Sequence, residues 1–93
     1  MPYRGTYRTE SGRYYFSWSF EEHSDGEVRI FIVSQPHYGS RPSGGHETHR
    51  YGVGSSRPYI CYEPPPDNLA DAIEVAKAWA ERTEKYIRWG QEF

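Results

Sequence analysis

The feature that most constrains this chain is a long amphipathic segment near its C-terminal end, residues 67–89. At about 100° per residue, Leu69, Ala72, Ile73, Ala76, Trp79, Ala80, Thr83, Tyr86 and Ile87 fall on one stripe. Asp71, Glu74, Lys77, Glu81, Glu84, Lys85 and Arg88 take the opposite arc. A proline run ends just before Asp67 and Asn68, either of which can cap the helix, and Gly90 stands where a left-handed terminator belongs. Glu81–Lys85 and Glu84–Arg88 are i,i+4 pairs in the favourable order. About 22 helical residues make a rod of about 33 Å, longer than a six-residue strand. Such a rod needs a broad apolar surface to lie across, and the rest of the chain must supply it.

The preceding sequence alternates with the period of strands. Residues 3–8 place Tyr3, Gly5 and Tyr7 on one face, and Glu10-Ser11-Gly12 follows as a turn. Residues 13–20 set Tyr14, Phe16, Trp18 and Phe20 against Tyr15, Ser17 and Ser19, the clearest half-buried strand here. Asp25-Gly26 signals a second hairpin. Residues 27–34 follow, with Val28, Ile30 and Ile32 on one side and Arg29, Phe31 and Val33 on the other, until Gln35-Pro36 stops the ladder. Residues 58–63 read as a last strand, closed by Pro64-Pro65-Pro66. The expectation is one α+β domain over residues 1–93: an antiparallel meander of four or five strands with one long C-terminal helix on one face.

One helix covers one face of a sheet, yet aromatic residues occur on both faces of these strands. The uncovered side presents some of Tyr15, Phe31, Val33, Tyr59 and Ile60, so self-association as a homodimer or capture of a protein partner is expected. Trp79 and Tyr86 read first as core-edge packing, with an interface anchor as the alternative because buried Trp and Tyr dominate binding hot spots, and Trp89 is a further interface candidate.

Composition excludes several classes. Aromatics make up 17% of 93 residues and the formal charge is −2, from 11 Lys+Arg and 13 Asp+Glu, which argues for a folded chain and against one that coats duplex DNA by bulk charge. The single Cys61 excludes an internal disulfide and an all-cysteine zinc site. No apolar run reaches the roughly 20 residues of a membrane span, and the first residues lack a secretory signal. A cytoplasmic protein without cofactor is the expectation.

Residues 36–57 form a Gly/Ser/His/Arg loop, with 47–51 able to add a short strand. Loops of this length in compact domains are commonly functional. Its candidates for ligand or partner binding are His37, Tyr38, Arg41, His46, His49, Arg50, Tyr51 and Arg57. Three readings compete. His46 and His49, with His37 and Cys61, could supply four metal ligands, but only one pair is close, so no metal site is assigned. His46-Glu47-Thr48 resembles one half of the paired His-x-Thr signature of two-histidine phosphoesterases, a family that carries two such motifs in a chain about twice this length; one copy occurs here, so a His-dependent phosphodiesterase or nuclease is a minor alternative and no catalytic residue is assigned. All seven basic residues before position 60 are arginine, interleaved with tyrosine and glycine, which suits binding of single-stranded nucleic acid or a nucleotide. The leading reading is a non-enzymatic binding or regulatory module, of the kind that inhibits or tunes larger machines, acting through protein contacts.

Overall fold

The strands form where bulky residues alternate. In the computed structural model, which describes residues 2–93, β1 (Tyr3–Arg8), β2 (Tyr15–Glu22) and β3 (Val28–Ser34) make an antiparallel meander. β2 begins two residues later than the alternation suggests, because the turn extends to Tyr14: Thr9 N–H donates to Tyr14 O at 3.0 Å and Arg13 N–H to Ser11 Oγ at 3.1 Å. It also runs two residues further, until His23 and Glu27 close the second hairpin at 2.8 Å.

Beyond β3 the expected loop has structure of its own. A helical turn, α1 (Gly45–Thr48), leads into β4 (Arg50–Tyr51), and β5 (Tyr59–Ile60) follows. The sheet order is β1-β2-β3-β5-β4, so β5 returns beside β3 and β4 takes the far edge. The short strand allowed for residues 47–51 begins only at Arg50, since Thr48 N–H closes the α1 turn on Gly44 O at 3.1 Å. The final strand is two residues rather than six: Cys61 N–H adds one more bond in the β4 register, to His49 O at 2.9 Å, and beyond it Tyr62 and Glu63 are exposed.

α2 (Leu69–Trp89) is the long rod the sequence calls for. Asn68 caps it, its side chain accepting from Asp71 N–H at 2.8 Å, and Gly90 ends it at φ 71° with its N–H on Tyr86 O. Ala72, Ala76 and Ala80 are fully buried, so the helix backbone lies close over the large rings of Phe16, Trp18 and Phe20 on β2. Small residues on the helix and large ones on the sheet let the two surfaces interlock at interior density. Trp79 meets Phe16 edge-on at 5.6 Å between ring centres.

Two helix positions depart from the periodic reading. Leu69, placed on the buried stripe, is 40% exposed, as the helix has not yet reached the sheet at its first residue. Glu84, placed on the outer arc, is buried, because the β1–β2 turn folds over it: Ser11 Oγ donates to Glu84 at 2.9 Å and Arg88 at 2.8 Å. Its neighbour Glu81 takes the Tyr7 hydroxyl at 2.5 Å and Glu10 N–H at 2.9 Å, in place of the expected Lys85 pair. Two carboxylates thus fasten the first hairpin to the helix.

Candidate functional site

Two surfaces gather the residues whose chemistry could serve a function: the segment 36–57 where it meets the end of α2, and the sheet face that α2 leaves bare. The segment is held by side chains on both partners. The Trp79 indole N–H donates to Thr48 O at 3.0 Å, and the Tyr86 hydroxyl to Pro42 O at 2.5 Å. Arg41 Nε donates to Ile87 O at 3.3 Å, a cation placed on the negative end of the helix. Arg50 donates to Thr48 Oγ1 at 2.9 Å and to Ser43 O at 2.8 Å, and lies over the Tyr38 ring at 4.9 Å. Tyr38 is buried, which raises its phenol pKa.

Arg41, His46 and His49 are brought together, around a pocket of about 390 Å³ that Glu47, Tyr86, Glu92 and Phe93 also line. His49 sits at φ 52°, the one non-glycine residue with positive φ among the described residues. Its ring stacks on Phe93 at 4.7 Å and 15°. Sequence reasoning did not single out Phe93, since nothing in local periodicity ties the last residue to a histidine 44 positions earlier. His37 does not join this group; it lines a separate open groove with Tyr38, Arg50 and Val33. Among the described residues no three or more His, Cys, Asp and Glu side chains are grouped so as to hold a metal ion. Thr48, the third residue of the His-x-Thr triplet, is fully buried, its hydroxyl donating to Gly44 O at 2.7 Å and accepting from Arg50.

The helix-free face carries the other candidates. Tyr15 and Val33 are 57% and 51% exposed, and Tyr51 is 39% exposed on the β4 edge. Phe31, expected to be open, is covered: Arg57 lies over its ring at 3.8 Å while also pairing with Glu21. Ile60 belongs to the core beneath α2 rather than to this face. Phe31, Tyr59 and Tyr51 run across three strands at 5.4 and 5.2 Å. Arg29 lies over Tyr59 at 5.1 Å and Arg8 over Tyr15 at 4.4 Å. The Arg57 hydrogen bond holds the Glu21 carboxyl below its ordinary range, and Cys61 and Glu63 push the Tyr51 phenol upward. Four arginines (4, 8, 29 and 57) thus stand on or beside this face against Glu21 and Glu27.

Of the aromatic interface candidates on the helix, Trp79 and Tyr86 are interior residues at 4% and 5% exposure, since their polar ends hold the 36–57 segment. Trp89 alone of the three is exposed, at 60%, beneath Arg88. The fold and these surfaces define an α+β protein with a half-covered antiparallel sheet. Searches against protein-family models, curated proteins and solved structures give no match. No helix among the described residues is long and apolar enough to cross a membrane.

Proposed function

We propose that this protein is a non-enzymatic binding module that acts through protein contacts and associates with a second copy of itself, in the cytoplasm. One observation carries the reading: α2 covers a single face of the sheet, and the bare face sets tyrosines and arginines, with no lysine, among Thr6, Ser17, Ser19, Glu21 and Val33. Tyrosine and arginine are enriched at the centre of protein interfaces, where lysine is depleted. Arginine lying flat on a ring presents a broad, weakly hydrated surface that a partner can cover at small desolvation cost. The 36–57 segment supports the same role: its hydrogen bonds to α2 hold it as a fixed shape, as a contact surface requires.

Sedimentation velocity over a dilution series tests the self-association. A species of twice 10.9 kDa that dissociates on dilution is expected; a single-chain species at every concentration rejects the reading. The arginine-capped rings favour one further reading, a binder of single-stranded nucleic acid, because both groups stack on bases. Fluorescence anisotropy with a labelled single-stranded RNA at low ionic strength decides that case, and no binding there removes it.

A further inference from the structure

We infer that the second copy adds to the sheet at the free edge of β1, pairing antiparallel with the partner's β1 about a two-fold axis at Gly5. This rests on the self-association proposed above; the contact it names is a sheet edge and not the bare face, which stays open to a further protein. Among the described residues β1 is the terminal strand of the sheet and is bonded to β2 alone, so its outer backbone edge is open there. α2 packs over the neighbouring strands and leaves a groove of about 290 Å³ beside that edge, lined by Tyr3, Gly5, Tyr7, Trp18, Ile73 and Lys77.

The sequence of β1 identifies the occupant. On the helix side the strand reads Tyr3, Gly5, Tyr7, which is symmetric about Gly5. Two such strands related by a two-fold axis perpendicular to the sheet keep their helix sides together. Residues directly opposite then share a face, as antiparallel pairing requires. With Gly5 opposite the partner's Gly5, Tyr3 faces the partner's Tyr7, and Arg4 faces the partner's Thr6. The axis passes through the residue with no side chain, and no two arginines stand opposite each other. A register two residues along would set Arg4 against the partner's Arg8, and like charges directly opposite are unfavourable. The pairing covers the open edge, closes the groove with tyrosine rings, and leaves the helix-free faces of both copies continuous for another partner.

The register sets the test, because the Thr6 side chain is exposed. Thr6→Glu places a carboxylate opposite the partner's Arg4 twice per dimer, and Thr6→Arg places a like charge there. Sedimentation equilibrium at low salt is expected to show the dimer roughly 2- to 30-fold tighter for Thr6→Glu and weaker by a similar factor for Thr6→Arg. Urea midpoints of both variants serve as the check that the fold is unchanged. A dimer whose dissociation constant moves less than twofold in either variant overturns the β1 assignment while the self-association stands. A wild-type chain that stays single at all concentrations overturns both.

Discussion

Replacing Trp79 by phenylalanine probes the bond on which the 36–57 segment most depends. Among the described residues the indole N–H is the donor to Thr48 O, and both residues are buried. Phenylalanine fills the apolar part of the site and keeps the contact with Phe16, but leaves a buried carbonyl without a donor. That loss costs about 1–3 kcal/mol. The missing second ring adds about 1 kcal/mol, well inside the roughly 3–5 kcal/mol for removing a buried Trp side chain altogether. A total of about 2–4 kcal/mol is a large part of the roughly 5–15 kcal/mol available to a domain. With a urea slope near 1 kcal/mol/M for a small protein, the midpoint should fall by about 2 M or more. Amide exchange should locate the damage: the Thr48 N–H bonded to Gly44 and the Cys61 N–H bonded to His49 should lose protection before the β2–β3 ladder does. Trp89→Phe, at an exposed site, is the control and should stay within about 0.5 kcal/mol. A Trp79→Phe midpoint as close to wild type as that control would refute the clamp.

Further outcomes follow from the helix ends and the hairpin tether. Gly90→Ala forces a Cβ onto a residue at φ 71° and to 2.7 Å from Arg41 Nη1, so it should destabilise by at least about 1 kcal/mol in urea unfolding and expose the Arg41 contact. Asn68→Ala removes the side-chain cap on Asp71 N–H and should cost about 0.5–2 kcal/mol, read by thermal unfolding. Glu84 has its carboxyl held below the ordinary range, because hydrogen bonds from Thr9, Arg88 and Ser11 outweigh a larger single effect of burial in the other direction. A depressed native pKa means the stabilisation is present above the unfolded value near 4.3 and is lost as pH falls through the native one. Glu84→Gln should therefore flatten the loss of stability between neutral and acid pH, measured as urea midpoints at both. Tyr7, its phenol pushed up to about 12 by its hydrogen bond to Glu81, should stay protonated in a spectrophotometric titration until the hairpin detaches.

Much of the architecture was legible because it follows from period alone. The alternation through Phe16, Trp18 and Phe20 and the stripe through Ala72, Ala76 and Ala80 each specify an element and the face it buries. The 36–57 segment was less legible, since its structure comes from partners far along the chain: Trp79 for Thr48, Tyr86 for Pro42, Ile87 for Arg41. Glu84 shows the same limit, being outward by helical phase but buried by a turn more than 70 residues away. Arg41, His46 and His49, named from the sequence, line one pocket with Phe93, which had no local signal. Phe31 misled in the other direction: its alternation is that of an open face, yet an arginine from outside its strand covers it.

The account turns on a sheet that one helix leaves half covered and that contact with another protein completes. Native mass spectrometry of the untagged protein addresses this most directly, since one spectrum counts subunits and weighs anything retained. Ions of two chains, with mass equal to twice the sequence, are the expected result. Ions of one chain alone, or of one chain carrying a stoichiometric small molecule, would contradict it.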